Sequence, residues 1–426
     1  MNPGEVDRAG LLSEVSDTVA RICELLDECD GYGYDTYDTR VGPLYLYLLR
    51  TRGQSRVSGL LLRFLYALEL ISPIAYRRIR GIPPTWDPMG NSYRAGIQLS
   101  LYQVDKDRRR LEAARDILDR IEKCAVGEAP SRGFALGFPC ITGSNMLWST
   151  STPVAHYSVR VARKFLIWER VVGDGRYNGA LSEVVSFLTQ VLPWVRREAC
   201  LGVGYTPDDP LQVINIWADV ASFLSSYGLH YGAGEYRQRC LKLMESVLHH
   251  QAPDGSWPYF AAWEGKPGGE DNSHTAMVLG GLADICACYP KDTREVLLPA
   301  LERGAKRWIE MFFDPASGRH WNLVNRPNQV STVCLGDTLY AIHRLLRPEV
   351  GLDDTLRNFL QGLADKVVLW SLRNLRLKNG RFCERSLPFR KYSVRSVRSF
   401  DGLVGDSLAL YLAERNAGAG AILWTV

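Results

Sequence analysis

Residues 249–282 read HHQAPDGSWPYFAAWEGKPGGEDNSHTAMVLGGL, and this stretch holds the end of one helix, a loop and the start of another helix. Asp254-Gly255 is a turn signal, and the loop around it is rich in aromatic residues. From Asn272 onward, apolar residues recur at spacings of three and four, which predicts an α-helix. The same order of aromatic loop and apolar helix returns along the chain, so the stretch is one unit of an internal repeat.

Apolar helices of this kind recur about every 60 residues, with intervals of 49, 60, 59, 61, 60 and 70 between their predicted starts. A more polar, amphipathic helix is predicted beside each of them. The apolar helices are predicted to begin near Pro43, Ser92, Thr152, Leu211, Asn272, Thr332 and Gly402. The amphipathic helices are predicted over residues 6–28, 55–74, 107–124, 176–196, 234–251, 294–313 and 353–372.

This alternation predicts an all-α fold with two concentric layers, because apolar helices need cover on every side while amphipathic helices show one face to water. We expect a single α/α barrel or toroid domain over residues 1–426, built from six or seven helical hairpins. Strand signals are limited to short pieces such as SWPYF and RHWNLV, which fit small ribbons in loops. The aromatic loops all precede inner helices and should therefore meet at one end of the barrel.

The composition is that of an ordinary globular protein, with 426 residues, 46% hydrophobic and 23% charged positions, and it excludes disordered and collagen-like chains. The net charge of +4 does not indicate a nucleic-acid partner. The most apolar window, Ser58 to Tyr76, contains Arg63 and Glu69 and predicts a buried helix rather than a transmembrane segment. No export signal is evident, so a cytoplasmic location is expected.

The ten cysteines are scattered, which predicts reduced thiols in the core rather than disulfides. Cys286 and Cys288 lack a second Cys or His pair at ligand spacing, so neither a zinc site nor another cofactor is predicted.

The loop before the fourth apolar helix, GVGYTPDDPLQVINIWADV, contributes Tyr205, Asn215, Trp217 and Asp219 to the predicted barrel mouth. Asn215 and Asp219 are four residues apart and share one face of the helix. Either they hydrogen-bond neighbouring helices or they contact a ligand.

In the next loop, Trp257 and Tyr259 supply flat rings that suit sugar faces or apolar carbocations. Asp271 is the predicted N-cap of the following helix, and His274 lies in its first turn. A helix N-terminus disfavours the imidazolium ion, so His274 is a candidate general base with a neutral ring. The alternative is a histidine that only bonds a loop carbonyl. The other predicted ligand contacts at the mouth are Tyr34, Asp35, Asp38, Arg40, Trp86, Asn272 and Trp321.

The last loop carries nine basic residues between Arg373 and Arg398 and one acid, Glu384. Subtracting its local charge of +8 from the total of +4 leaves −4 for the rest of the chain. This concentration predicts an anionic ligand, with Arg385, Arg390 and Arg398 as candidate contacts. A solvated loop and a patch that touches acidic lipids are the alternatives.

Two stretches carry a resemblance to known families. QAPDGSWPYF followed by DNSHTAMVLGGL resembles the Gln-x-x-Asp-Gly-x-Trp repeat of the squalene cyclase and prenyltransferase superfamily. YTPDDPLQVINIWADVASFL is similar to bacterial α/α-toroid proteins found with polysaccharide biosynthesis enzymes, some of them similar to the helical domain of glucuronyl C5-epimerases. The Asp-x-Asp-Asp motif of class II terpene cyclases and the zinc motifs of prenyltransferases and lanthionine cyclases have no counterpart in this sequence.

The resemblance implies a carbohydrate-active enzyme that removes the proton α to a uronate carboxylate, as an epimerase or a lyase. That chemistry needs a group that neutralises the carboxylate, a base and an acid. His274 is the predicted base, Tyr205 or Tyr259 the acid, and Asn215 with the loop arginines the neutralising group. An isoprenoid cyclase-like enzyme that binds a prenyl diphosphate and a non-catalytic glycan-binding toroid are the alternatives.

Overall fold

The computed structural model describes residues 7–141, 146–265, 268–387 and 390–417. Helices account for most of these ranges, as the repeat predicts. In chain order they are α1 (Arg8–Asp27), α2 (Pro43–Thr51), α3 (Arg56–Ile71), α4 (Pro73–Ile79), α5 (Pro88–Asp105), α6 (Arg108–Glu122), α7 (Ala155–Val171), α8 (Asn178–Ser186), α9 (Ile214–Tyr231), α10 (Arg237–His249), α11 (Asn272–Cys288), α12 (Lys291–Phe312), α13 (Thr332–Leu345), α14 (Asp354–Asn374) and α15 (Gly402–Ala417).

Within the described ranges, six buried helices form a closed inner ring in the order α5, α7, α9, α11, α13 and α15, and α15 packs back against α5. A second layer covers them: α6, α8, α10, α12 and α14 each pack on the inner helix that precedes them, and α1 packs on α15. The fold is therefore an (α/α)6 toroid. Because each outer helix returns the chain, all inner helices begin at the same end of the ring.

The predicted starts of the inner helices agree with the structure to within a few residues from α5 onward; Asn272, Thr332 and Gly402 begin their helices as predicted. The prediction for Pro43 is wrong in one respect. A helix begins there, but α2, α3 and α4 form a separate unit between α1 and α5, which we call the insert (residues 43–79). Periodicity detects an amphipathic helix and does not reveal which surface covers it, so an inserted helix resembles an inner one.

Short antiparallel ribbons hold the loops at the mouth of the ring. The predicted strands SWPYF and RHWNLV form isolated bridges instead: Phe260 pairs with Val213, His320 with Phe313, and Leu323 with Asp271. The paired strands are β1 (Tyr32–Gly33) with β2 (Thr85–Trp86), β3 (Cys140–Ile141) with β4 (Leu147–Trp148), β5 (Trp194–Arg197) with β6 (Cys200–Val203), and the three-stranded β7 (Val330–Ser331), β8 (Arg385–Leu387) and β9 (Arg390–Tyr392).

All ten cysteines lie in the described ranges and are free thiols. Of the helices described, none alone has the length and apolar content to cross a membrane. The helices α3 and α4 together have that length and apolar content, but the pair is bent by 117°.

Charged side chains fill the centre of the ring. Lys164 on α7 lies 2.5 Å from Asp406 on α15, and Arg160 on α7 lies 3.2 Å from Asp337 on α13. Arg163 on the same helix lies between Asp219 of α9, at 3.6 Å, and Asp284 of α11, at 3.4 Å. These central ion pairs connect α7 to four other inner helices.

Burial and neighbouring arginines have opposite effects on the pKa of Asp284, one of the carboxylates in the centre of the ring. Burial opposes its ionisation, but the guanidinium groups of Arg344, Arg347 and Arg163 outweigh that effect and lower the pKa of Asp284 to about 2. Asp284 therefore stays charged.

Replacing Lys164 with alanine should destabilise the protein by about 3–5 kcal/mol, because the buried carboxylate of Asp406 loses its cation. Urea unfolding measures the change in the free energy of unfolding. Lys242→Ala is the matched control, because Lys242 and Glu245 form an exposed pair at 3.9 Å and should contribute less than about 1 kcal/mol. Equal effects of the two substitutions would contradict a structural role for the central pair.

Candidate functional site

The loops at the mouth of the ring enclose a cavity of about 290 Å³, which we call the mouth cavity. Aromatic rings make up much of its wall, and Arg40 and Asp209 are the charged residues among its described lining. The lining residues are Tyr37, Arg40, Leu136, Cys140, Ile141, Trp148, Tyr157, Tyr205, Asp209, Leu211, Val213, Tyr259 and Phe260. Three of the predicted site residues, Arg40, Tyr205 and Tyr259, thus lie around one space.

The aromatic wall is ordered by contacts between its rings. Trp148 stacks on Tyr205 with ring centroids 5.1 Å apart, and the Arg40 guanidinium lies 4.2 Å from the centroid of Tyr37. Flat, partly apolar walls of this kind suit the faces of sugar rings. Trp148 is the main wall residue that sequence analysis missed. The signal for it was its place in the aromatic loop before α7.

Asp271 and His274 form a hydrogen-bonded pair at the start of α11. Asp271 Oδ1 accepts from the backbone N–H of His274 at 2.9 Å, and Oδ2 lies 2.5 Å from His274 Nδ1. Asp271 is therefore the N-cap that the sequence predicts, and it also orients the imidazole. The His274 ring meets the Tyr259 ring edge-on, with centroids 4.4 Å apart.

The expected neutral state of His274 needs a correction. Burial opposes the charged ring, but the adjacent Asp271 carboxylate outweighs burial and raises the pKa of His274. The expectation of a neutral ring rests on the helix N-terminus alone, whereas a carboxylate in direct contact with the ring has the larger effect on its pKa.

Asn215 and Asp219 occupy different depths. Asn215 lines a small recess with Tyr259, Asp271 and His274. Its Nδ2 donates to Met277 Sδ at 3.5 Å, and its buried Oδ1 has no hydrogen-bond partner in the described part of the chain. An unpaired buried oxygen beside the His274 pair is available to a ligand.

Asp219 is 2% exposed and belongs to the ring interior. Its carboxylate is 3.0 Å from His156 Nδ1 and 3.6 Å from Arg163. Asp219 therefore bonds a neighbouring helix, α7, which is the first of its two predicted alternatives. Its side chain is not part of the described lining of the mouth cavity.

Asp35 and Arg398 come together, although they are far apart in sequence. Arg398 donates to both carboxylate oxygens of Asp35 at 2.7 Å, and its guanidinium lies 5.5 Å from the ring centroid of Tyr37 and 5.7 Å from that of Tyr157. The pair supports the wall of the mouth cavity from behind. Asp35 is buried and neutralised by Arg398, so it does not contact a ligand as predicted.

Asp38 connects the insert to the mouth loop and is not a ligand contact. Its carboxylate lies 2.8 Å from the buried guanidinium of Arg77 on α4, which also lies 3.2 Å from Glu69 on α3. The ring of Tyr34 packs near the same guanidinium, with its centroid 5.6 Å away. Tyr34 and Asp38 thus fix the position of the insert.

Several predicted contacts are core residues. Trp217 is fully buried and donates from Nε1 to Gln212, and Trp257 is 3% exposed and donates from Nε1 to Val247 O. Asn272 is fully buried and accepts from Trp308 Nε1 at 2.8 Å. Aromatic side chains bury a large apolar area, and sequence alone does not distinguish a ring that packs from a ring that binds.

Trp86 and Trp321 also lie outside the lining of the mouth cavity. Arg120 covers the Trp86 ring at 4.5 Å, and Trp321 packs against the hydrophobic core. The two tryptophans therefore support the loops that carry them.

Four of the nine basic side chains of the last loop (residues 373–398), which we call the basic loop, lie against an acidic side chain in the described part of the chain. Arg398 pairs with Asp35, Arg385 lies 3.2 Å from Glu384, Arg381 lies 3.0 Å from Asp401, and Arg376 lies 2.6 Å from Glu14. Arg385 lines a second cavity below the insert rather than the mouth cavity. The side chain of Arg390 is outside the described part of the chain. The predicted cluster of arginines around one ligand is therefore not formed by Arg385 and Arg398.

No group of three or more His, Cys, Asp or Glu side chains in the described ranges is arranged to hold a metal ion.

The sequence matches no model of a known protein family, and no curated protein matches it in sequence. Solved structures do match its fold. The cellobiose 2-epimerase of Bacillus thermoamylovorans superimposes with a TM-score of 0.60 at 8% identity, over 77% of this chain and 88% of the epimerase. The α-mannanase of glycoside hydrolase family 76 from Bacteroides thetaiotaomicron gives 0.60 at 9% identity, over 78% and 88%. A polysaccharide lyase gives 0.53 at 11% identity, over 78% and 90%. The predicted α/α-toroid fold is confirmed.

Replacing Asp271 with asparagine should lower the pKa of His274 below about 6.5, its usual value, because burial then outweighs the remaining attraction of Asp337. A proton NMR titration of the histidine ring signals measures this change. Asp254→Asn is the control, because Asp254 is an exposed turn residue of the preceding loop. An unchanged His274 titration in Asp271→Asn would show that the carboxylate does not control the ring.

Proposed function

We propose that this protein is a carbohydrate-active enzyme that removes the proton α to the carboxylate of a uronate unit, as an epimerase or a lyase. The observation that carries the proposal is the Asp271–His274 pair, which lies beside the tyrosine wall of the mouth cavity. A carboxylate-oriented histidine next to aromatic rings and an arginine provides a base, an acid and a neutralising cation.

His274 is the proposed base. With Nδ1–H donated to Asp271, Nε2 is the nitrogen that accepts a proton from the substrate. The Asp271 carboxylate makes the ring more basic, which favours removal of a weakly acidic C–H proton.

Tyr205 and Tyr259 are the proposed acids. Burial raises the pKa of both phenols, so each holds its proton at neutral pH and can deliver it to the ring carbon or the leaving oxygen. Both line the mouth cavity. Arg40 in the same wall is the proposed partner of the substrate carboxylate, and the free Asn215 Oδ1 accepts a hydroxyl of the sugar.

The structurally similar proteins include an epimerase and a lyase as well as hydrolases, so the fold alone does not distinguish these reaction classes. The carboxylates of the site favour proton abstraction over glycoside hydrolysis. Hydrolysis needs two carboxyl groups that flank the scissile bond. Asp209 is the one carboxylate in the described lining of the mouth cavity, and Asp271 is already bonded to His274.

We also propose that the protein works in the cytoplasm. Ten unpaired cysteines in one chain fit a reducing compartment, because exported proteins usually oxidise such thiols.

The test is solvent-deuterium exchange into oligosaccharides that contain glucuronate. We expect incorporation at C5 or formation of an unsaturated product by the wild type, and a loss of about 10²–10⁴-fold in His274→Ala. The rate should rise with pH through the raised pKa of His274, because only the neutral ring accepts a proton. His249→Ala is the control, since His249 is an exposed residue at the end of α10.

Three results would contradict the proposal. Exchange that His274→Ala leaves unchanged would remove His274 from the reaction. No exchange with tight binding of a prenyl diphosphate would support the isoprenoid alternative. Binding of oligosaccharides with no turnover would identify a glycan-binding toroid.

A further inference from the structure

The insert exposes an unusual amount of apolar surface. Ten of the eighteen exposed large hydrophobic side chains in the described ranges lie on its three helices. On α3 only Ser58 and Glu69 are buried. The ten residues are Leu44, Tyr47, Val57, Leu60, Leu61, Phe64, Tyr66, Leu68, Ile71 and Ile79.

Six of the seven exposed large hydrophobic residues of α3 form one continuous stripe, and the seventh, Tyr66, lies on the opposite face. At about 100° per residue, the six fall within an arc of about 100°, and Phe64, near its centre, is 58% exposed. The opposite face lines the cavity below the insert. The stripe consists of Val57, Leu60, Leu61, Phe64, Leu68 and Ile71. A helix that buries one face and shows an apolar stripe on the other is built to be covered by something else.

The charge of the insert indicates what covers it. Residues 43–79 carry six arginines and one acid, Glu69, which is buried against Arg77. Arg56 and Arg63 lie along one border of the apolar stripe and are exposed. An apolar stripe flanked by arginine, without an exposed acid, is typical of helices that lie in the interface of an anionic bilayer.

We propose that the insert docks the protein on a membrane surface that contains acidic lipids, with the stripe of α3 in the headgroup region. The 117° bend between α3 and α4 fits helices that lie on the surface. A second copy of this chain is the less suitable occupant, because it would bring its own exposed arginines against those of the first copy.

The test is flotation with vesicles of phosphatidylcholine and phosphatidylglycerol. The wild type should float with them, and the double variant Leu60→Glu/Phe64→Glu should bind at least ten-fold less. Val296→Glu is the matched control, because Val296 is 69% exposed on the outer helix α12, and it should bind as the wild type does. Circular dichroism checks that the variants remain folded.

A second pair of variants tests the charges. Arg56→Gln and Arg63→Gln should each weaken binding to the acidic vesicles by roughly five-fold and leave binding to pure phosphatidylcholine unchanged. The proposal fails if the wild type does not float, or if Leu60→Glu/Phe64→Glu floats equally. It also fails if light scattering shows a wild-type dimer that this variant dissociates while vesicles have no effect.

A different observation concerns the cavity of about 160 Å³ between the insert and the β8–β9 hairpin, which we call the insert cavity. Glu384 lines it with a side chain that is only 3% exposed. One carboxyl oxygen, Oε1, lies 3.2 Å from Arg385 Nε, whereas Oε2 is buried without a hydrogen-bond partner in the described part of the chain. Arg40, Arg52 and Arg385 line the same space, as does Glu69, whose carboxylate is already paired with Arg77 at 3.2 Å.

We infer that the insert cavity binds an anionic group, a carboxylate or a phosphate, that accepts a hydrogen bond from Glu384 Oε2 and is neutralised by these arginines. The inference does not depend on the proposed function. A carboxyl group donates only when it is protonated. Burial raises the pKa of Glu384 to about 8; Arg385 and Arg77 act against this shift, and Asp35 and Glu69 add to it.

Calorimetry with D-glucuronate and with inorganic phosphate tests the inference and distinguishes the two kinds of anion. Binding to the wild type should be present at pH values below about 8 and weaken at least ten-fold above, because an ionised Glu384 repels the ligand. Glu384→Gln, which always donates, should keep its affinity at both pH values, and Glu384→Ala should lose it at both. The inference fails if neither anion binds, or if Glu384→Ala binds like the wild type.

Discussion

The neutralisation of three cations on one inner helix is the constraint on which the structure depends. Arg160, Arg163 and Lys164 project from α7 into the centre of the ring, where an unpaired charge would be strongly unfavourable. Their carboxylate partners come from α9, α11, α13 and α15. These ion pairs therefore join side chains that are up to 242 residues apart in sequence. A relative shift of the inner helices would separate these pairs and leave buried charges without partners, which adds to the constraint from apolar packing.

The central ion pairs also reach the floor of the candidate site. Asp219 faces Arg163 on one side and His156 on the other, so the uppermost charged layer lies directly below the mouth. With the inner helices held in register, the N-terminus of α11 presents Asp271 and His274 from a rigid element rather than from a loop. The aromatic wall needs less rigidity, and ribbons of two to four residues per strand supply it.

The sequence was sufficient to predict what depends on local pattern. Helix periodicity locates the inner helices, and the spacing between Asp271 and His274 identifies a helix cap with a histidine in the first turn. What it could not predict depends on contacts between distant segments. The bond from Arg398 to Asp35 spans 363 residues, and it converts two predicted ligand contacts into a neutral support. Sequence also could not place Trp217, Trp257 and Asn272 in the core, because residues of the same type occur both in cores and in binding sites.

The distribution of charge shows most clearly the difference between what local sequence predicts and what contacts between distant segments determine. The basic loop has the highest local charge in the sequence. For this reason a patch that touches acidic lipids is one of the alternatives to an anionic ligand there. In the fold, Arg376, Arg381, Arg385 and Arg398 each lie against an acidic side chain, so these four of the loop's nine basic residues serve contacts within the fold. The insert has fewer basic residues, but apart from Arg77, which is buried against Asp38 and Glu69, they are exposed. Arg40 lines both the mouth cavity and the insert cavity. The two proposed anion sites therefore share one guanidinium group.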